Sequence, residues 1–217
     1  MNGLFSTPAV KTAPCLAVPS QRDATAPAPG LKLHLGCGRR VLPGYVHVDL
    51  ADFPHVDHRH DVRRLPMFAD DSVELVYASH VLEYFDRIEA AAVLEEWRRV
   101  LRPGGILRLA VPDFEALVNV YLETDNLDRI LGPLYGRWPM AAGETGDPVC
   151  LYHRTAYDFR SLQQLLTRAG FRQPRRWDWR AVFVGELAGY DDYSQAYDPH
   201  LDKTHGRLTS LNVEAQK

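Results

Sequence analysis

The chain has 217 residues, of which 25 are Lys or Arg and 28 are Asp or Glu, giving a formal charge of −3, and 46% of it is apolar. This is the balance of an ordinary globule, with no excess of positive charge to coat bulk nucleic acid or an anionic membrane, and no window approaches the roughly 18 consecutive apolar residues that cross a bilayer. The three cysteines, Cys15, Cys37 and Cys150, are odd in number and widely spaced and form no CxxC pair, which argues against a disulfide framework or a zinc cluster and makes a reducing cytoplasm the simplest compartment.

Residues 1–30 carry Pro8, Pro14, Pro19, Pro27 and Pro29 and almost no large apolar side chain after Phe5. Such a stretch buries too little surface to offset its ordering entropy and reads as a disordered arm, leaving 31–217 as a single domain. Lys11 comes late and Pro and Thr interrupt every apolar run, unlike a signal peptide. Leu31 to Leu35 alternates apolar and polar residues and stops at Gly36, the pattern of a strand entering a tight turn. Tyr45 to Leu50, Val73 to Ser79 and Gly105 to Val111 predict three more strands, the last launched by the turn Arg102-Pro103-Gly104-Gly105. Asp86 with Glu89 forms a capping box ahead of the apolar positions Val93, Trp97, Val100 and Leu101. Asp113 opens a helix through Leu117, Val118 and Tyr121, and Asp158 another through Leu162, Leu165, Leu166 and Ala169 that closes at Gly170. Arg175 to Val184 and Leu208 to Ala215 read as the last two strands. Strands alternating with helices at this spacing predict an α/β sandwich around a mostly parallel sheet.

Ligands of such sheets sit at the carboxyl ends of the strands. The residues there are Gly36-Cys37-Gly38, Asp49, Asp61, Ser79-His80 and Pro112-Asp113. Glycines at 36 and 38 let backbone approach a ligand closely, but a dinucleotide fingerprint needs Gly or Ala at 41, where Val41 stands, and an acid about 20 residues on. Only nine residues, Gly36 to Gly44, separate the first two strands, so the first helix is expected to shrink to about one turn, which badly weakens a pyrophosphate site while costing a ligand without phosphate little. An adenosine without phosphate fits better, with Asp49 accepting from both ribose hydroxyls and Asp61 from an adenine amino group. Each acid can also be read as a solvated turn carboxylate.

Together Leu33-His-Leu-Gly-Cys-Gly38, Leu42-Pro-Gly-Tyr-Val-His-Val-Asp49, Ser79-His-Val-Leu-Glu83, Arg99-Val-Leu-Arg-Pro-Gly-Gly105 and Val111-Pro-Asp113 resemble the class I S-adenosylmethionine-dependent methyltransferases, in particular a small bacterial branch with a shortened first helix. The resemblance runs from Leu31 to about Phe171. It implies a Rossmann-like three-layer sandwich with a seven-stranded sheet of order 3-2-1-4-5-7-6, the seventh strand antiparallel, and S-adenosylmethionine as cofactor. It further implies Gly36 and Gly38 against the methionine part, Asp49 on the ribose, Asp61 and Val62 at the adenine and Ser79-His80 beside the sulfonium; Cys37 and Leu50 complete the cofactor-binding set. Tyr84 is a departure, since relatives often carry a second His after the Glu.

Methyl transfer from a sulfonium depends mainly on positioning two substrates, with a base useful when the acceptor is a hydroxyl. His80, His153 and Asp113 are the catalytic candidates and Glu83 an orienting group for His80. His80 reads equally as a turn-fixing histidine, His153 as a loop anchor, and Asp113 as a helix N-cap. Resembling relatives carry a His-Arg where this chain has His153-Arg154. Gly132 to Tyr152 is rich in Gly and Pro and reads as a lid loop. Cys37 reads as a small residue under the ligand rather than as a nucleophile. Trp177, Trp179, Tyr190, Tyr193 and Tyr197, interspersed with Asp191, Asp192 and Asp198, could stack on a sugar; the competing reading buries the tryptophans in a closing strand. The expected partner is a small-molecule acceptor, a sugar or polysaccharide-precursor hydroxyl, with neither bulk nucleic acid nor a membrane; a homodimer stays open, and no metal is expected. Two other readings stand beside this one: a non-catalytic cofactor-binding or regulatory subunit, and a nicotinamide-dependent oxidoreductase.

Overall fold

The computed structural model describes residues 30–139 and 150–217. The strands are β1 (Leu31–Leu35), β2 (Val46–Asp49), β3 (His58–Arg59), β4 (Val73–Ser79), β5 (Leu101–Pro112), β6 (Arg137–Pro139), β7 (Cys150–Tyr152), β8 (Arg172–Arg176), β9 (Tyr197–Asp198), β10 (Arg207–Leu208) and β11 (Ser210–Gln216). The helices are α1 (Arg87–Val100), α2 (Phe114–Thr124), α3 (Asp128–Tyr135), α4 (Phe159–Arg168) and the single turn α5 (Trp179–Val182). Seven strands make one sheet in the order β3-β2-β1-β4-β5-β11-β8. Numbered within that sheet alone they run 3-2-1-4-5-7-6, and β11, the seventh, is antiparallel to both neighbours.

Both faces of the sheet are covered, and the alternation along each strand shows how. Leu33, Leu35, Val76, Leu107, Leu109, Leu211 and Val213 point to the face packed by α1 through Ala90, Val93, Leu94 and Trp97 and by α4 through Leu162 and Leu166. Side chains of opposite parity meet the C-terminal segment instead: Tyr77 and Ala110 pack with Leu42, Trp177 and Phe183. On that same face Glu214 of β11 receives Arg108 from β5 and Arg175 from β8 at 2.8 and 2.7 Å. Burial by itself would raise the Glu214 carboxyl, but the hydrogen bonds and charges of the two arginines outweigh it and hold the group below the usual range.

The caps read from the sequence form. Asp86 and Glu89 exchange hydrogen bonds at the start of α1, Asp113 accepts from Glu115 and Ala116 N–H at the start of α2, and Asp158 caps α4. Other expectations change. The segment after Gly36 makes turns but no helical turn, because ten residues with Pro43 and Gly44 among them must return a parallel strand beside β1. The turn at Arg102 to Gly105 lies inside β5 as an outward loop, since Leu101 pairs with Val73 and Ile106 with Leu75. The strand expected from Arg175 to Val184 ends at Arg176, where Asp178 caps α5 by accepting from Arg180 N–H. Gly132 lies in helix α3, and β6 and β7 pair as antiparallel strands; the rest of the expected lid, 140–149, lies outside the described residues, as do positions 1–29 of the expected arm. No helix among the described residues is long and apolar enough to cross a membrane.

Candidate active site

Because β1, β2, β3, β4 and β5 are parallel, their carboxyl ends share one edge, and antiparallel β11 starts there at Ser210. At the first of these ends Gly36 donates to the Val48 carbonyl at 2.8 Å and Gly38 donates to Asp49 Oδ2 at 2.8 Å, so the glycine turn folds down onto the end of β2. Both glycines have positive φ, at 62° and 54°. A Cβ on Gly36 would lie 2.4 Å from Val81 Cγ2, whereas one on Gly38 would have nothing within 4 Å among the described residues. Asp49 Oδ1 accepts from Ala51 N–H at 2.8 Å. Each Asp49 oxygen therefore holds one backbone donor and keeps one acceptor site. Leu50, next in the chain, is exposed.

Cys37 is buried between the two glycines, with Sγ 3.8 Å from His55 Nε2. Burial, then the charge of Asp49, pushes its thiol up to about 12, which favours the thiol over the nucleophilic thiolate at neutral pH. Asp61 follows β3 and is held by Arg63, whose N–H reaches Oδ1 at 2.9 Å and whose Nε and Nη2 reach Oδ2 at 2.8 and 2.6 Å. Burial works to raise this carboxyl, yet the Arg63 hydrogen bonds and charge hold it low. Val62 packs in the core, and its carbonyl accepts from Trp97 Nε1 at 2.8 Å.

The β4 end carries the polar groups nearest the middle of the edge. Ser79 is buried, and its Oγ has no hydrogen-bond partner among the described residues. His80 adopts φ 55° and donates its N–H to Ala110 O at 2.8 Å. Its ring lies between Glu83, with Nδ1 3.2 Å from Oε1, and Ser210, with Nε2 3.2 Å from Oγ. Glu83 has no exposed surface and neither oxygen has a hydrogen-bond partner among the described residues. His153 is on the opposite side of the same carboxylate, 3.9 Å away through Nε2, while its Nδ1 is 2.7 Å from the Pro133 carbonyl. The Glu83 carbonyl accepts from Arg154 and Thr155 N–H, which ties the loop before α4 to the end of β4. His80 and His153, 73 positions apart in the chain, thus share one buried carboxylate. Asp113 is occupied as the α2 cap and as the partner of Arg176 at 3.3 Å.

Most of the aromatic cluster near the C-terminus is committed to packing. Trp177 is buried and donates to Leu109 O at 2.9 Å; Trp179 lies under Arg180 and Lys203; Tyr190 and Tyr77 both donate to Asp192 Oδ2. Asp198 pairs with Arg129 at 2.7 Å and Asp191 with Lys203 at 3.0 Å. Tyr193 alone of the tyrosines in that stretch is exposed, at 54%, and its ring lies 5.3 Å from His80. Beneath the glycine turn, burial followed by the charges of His47 and His55 pulls His34 down to about 3, so it is neutral against the Tyr77 ring. Sequence reasoning missed Ser210 and Asn212; their signal was two polar residues of equal parity in a strand whose other face is Leu211, Val213 and Ala215.

The family model described as methyltransferase domain matches residues 44–109. A search of the curated proteins gave no match. Among solved structures, an S-adenosylmethionine-dependent methyltransferase from Archaeoglobus fulgidus is 14% identical with a TM-score of 0.50, the match covering 87% of this chain and 86% of that one. A methyltransferase dependent on the same cofactor from Mesorhizobium loti is 18% identical with a TM-score of 0.47, covering 89% and 94%. The 1,6-didemethyltoxoflavin-N1-methyltransferase of Burkholderia thailandensis, solved with 1,6-didemethyltoxoflavin and S-adenosylhomocysteine, is 14% identical with a TM-score of 0.46, covering 87% and 71%. Residues 44–109, from the approach to β2 through most of β5, thus match a methyltransferase domain, and the seven-stranded sheet around them has the fold of the S-adenosylmethionine-dependent methyltransferase from Archaeoglobus fulgidus.

Proposed function

We propose that the protein methylates a hydroxyl of a small polar acceptor, a sugar or polysaccharide precursor, at the edge formed by the ends of β1, β2 and β4. The cofactor reading is supported by acceptor counting at Asp49. Its two remaining acceptor sites, one on each oxygen, match the two hydroxyls of a ribose, and the backbone N–H groups of Gly38 and Ala51 fix the carboxylate in place before the ligand arrives. The space over Gly38 admits the methionine part of the cofactor. Asp61 retains one acceptor site on Oδ1 for the adenine amino group, Val62 borders it, and Leu50 offers an exposed apolar surface beside the ribose. The unpartnered Ser79 Oγ faces the same edge from β4. When bound, S-adenosylmethionine supplies an activated methyl group on sulfur.

The observation that carries the hydroxyl reading is the His80–Glu83–His153 cluster. An acceptor that already bears a nucleophilic lone pair needs no proton-handling group, whereas a hydroxyl gains about 10² to 10⁴ in rate from one. A buried carboxylate between two imidazoles is such a device. Tyr193 gives the acceptor ring one exposed aromatic face next to it. Asp113 supports the β5 end as a cap rather than touching the acceptor.

Methyl-tritiated S-adenosylmethionine incubated with a panel of free sugars and sugar nucleotides tests this reading. The expected outcome is label in a methyl ether identified by mass spectrometry. Calorimetric binding of the cofactor with no transfer to any panel member would instead favour a non-catalytic binding subunit.

A further inference from the structure

The crossover from β1 to β2 contains no helix, so its backbone donors must find partners elsewhere. Three of them end on consecutive residues of β2. Leu42 donates its N–H to His47 Nε2 at 2.9 Å, Gly36 donates to the Val48 carbonyl at 2.8 Å, and Gly38 donates to Asp49 Oδ2 at 2.8 Å. His47, Val48 and Asp49 are thus three successive holds on one loop. His47 is the innermost of them, only 5% exposed, and the Leu42 that it holds has no exposed surface. Leu42 packs with Tyr77, Trp177 and Phe183, so its N–H is shut off from bulk water and depends on the imidazole.

These donors also set the ring. A backbone N–H only donates, so Nε2 presents its lone pair to Leu42, and the ring hydrogen sits on Nδ1, 3.4 Å from Asp57 Oδ2. The same Asp57 oxygen accepts the His47 backbone N–H at 2.7 Å, and the Asp57 N–H returns to the His47 carbonyl at 3.0 Å. Asp57 therefore orients the imidazole through the nitrogen that the loop does not use. The other groups facing the ring are His34 of β1 and His55, each with its ring centre 5.5 Å away; Tyr77 stands behind His34 and Cys37 behind His55. Burial pulls His47 below its ordinary value and outweighs the opposing pull of Asp57. His34, taken down to about 3 mainly by burial, adds no charge at neutral pH.

We propose that His47 is the positioning residue of the glycine turn, its Nε2 holding Leu42 and, through Arg39, Arg40 and Val41, keeping Gly38 in place for the cofactor. The part played by the cofactor rests on the reading of Asp49 and Gly38 above. A proton added at Nε2 would face the Leu42 N–H donor to donor, so protonation and the hold exclude each other. In a released loop the ring has its ordinary value of about 6.5, whereas in the folded loop it titrates lower. The hold is therefore complete above about pH 6.5 and fades as pH falls through the lower folded value.

Two measurements on the full chain test this. The first needs no ligand: amide hydrogen exchange at Leu42, followed by NMR at neutral pH. His47→Gln still offers an acceptor and should keep that amide protected. His47→Phe fills the space without an acceptor and should speed the exchange by about 5- to 150-fold, the effect of stranding one buried donor. The second is calorimetric titration with S-adenosylhomocysteine. Near pH 7.5 the Phe variant should bind more weakly, by up to about the same factor, and the Gln variant close to wild type. Between about pH 7 and about pH 5 wild-type affinity should fall, by at most about tenfold per pH unit for one proton, while that of His47→Gln stays more nearly level. A histidine that only filled the core would lower the melting temperature without separating the two pH profiles. Parallel profiles for wild type and His47→Gln, or unchanged Leu42 exchange in His47→Phe, would overturn the proposal; the first comparison decides if His47→Phe fails to fold. No binding of S-adenosylhomocysteine to the wild-type chain would refute the cofactor reading instead, and the exchange at Leu42 would still decide whether His47 holds the loop.

Discussion

Gly38 donates its backbone N–H to Asp49 across 2.8 Å, joining the turn after β1 to the end of β2. That one hydrogen bond holds a carboxylate at the carboxyl edge of the sheet with its second oxygen braced by Ala51. Asp49→Ala removes the acceptor for two ribose hydroxyls, and hydrogen bonds to a charged group contribute about 1.5 to 3 kcal/mol each. Cofactor affinity measured by calorimetry should fall at least about 10-fold. An unchanged affinity would dismiss the ribose assignment.

The two glycines of the turn should separate stability from binding. Gly36→Ala meets Val81 at 2.4 Å in a left-handed backbone, so it should lower the melting temperature by several degrees, the cost of left-handed backbone alone being about 1 to 2 kcal/mol. Gly38→Ala suffers the backbone cost only, since no atom of the described residues lies within 4 Å of its Cβ. It should melt above Gly36→Ala yet lose more cofactor affinity than its stability loss explains. Equal affinity for wild type and Gly38→Ala would mean that no ligand occupies that space.

Cys37 should be inert in the folded chain. With its thiol pushed up to about 12 and its side chain buried, intact-mass spectra after iodoacetamide at mildly alkaline pH should show Cys37 unmodified, and modified after denaturation. Rapid alkylation of the native protein at this position would contradict the burial.

Glu214 ties stability to pH. Its folded carboxyl is held below the value it has in the unfolded chain, so its contribution is complete above about pH 4.3, the unfolded value, and fades as pH falls through the lower folded one. Urea titrations should show Glu214→Gln less stable than wild type by about 1 to 3 kcal/mol at neutral pH, because Arg108 and Arg175 lose their shared partner. The gap should narrow steadily below about pH 4. A gap independent of pH would show that the two arginines do not hold the carboxyl ionised.

Asp192 should act on stability, not on the acceptor. It is buried and receives Tyr77 Oη at 2.6 Å, Tyr190 Oη at 3.0 Å and Ser194 N–H at 2.8 Å. Asp192→Ala strands two hydroxyls, at about 1 to 3 kcal/mol each. Denaturation should register that loss while the KM for an acceptor stays within about twofold of wild type, scaled to the folded fraction. A selective rise in KM would return Asp192 to the acceptor site.

The local signals were readable in the chain because they depend on neighbours in sequence. Alternation set β1 and β2, and a short apolar run set β4, since both signals depend only on neighbouring residues. Asp86, Asp113 and Asp158 announced their helices because an N-cap needs only the backbone donors two or three residues ahead. The glycine turn and Asp49 were legible for a similar reason, both lying within one short crossover.

Tertiary structure decided what depends on distant partners. Arg175 to Val184 reads apolar enough for a strand, yet it leaves the sheet at Arg176, and Trp177 and Phe183 pack over Tyr77 and Ala110 instead. The aromatic and acidic cluster looked like a sugar platform, but pairing across the fold binds Asp192 to Tyr77 and Asp198 to Arg129. Glu83 illustrates the limit most directly. Its spacing from His80 is written in the sequence, whereas its second imidazole, His153, arrives from 70 residues away. Ser210 reaches both His80 and Asn212 only because β11 runs antiparallel beside β5. Sequence alone therefore determined β1, β2, β4 and β5, the helix caps and the glycine turn, where the interacting groups are adjacent; the surroundings of His80 and Glu83 were set by which distant segments the fold placed side by side.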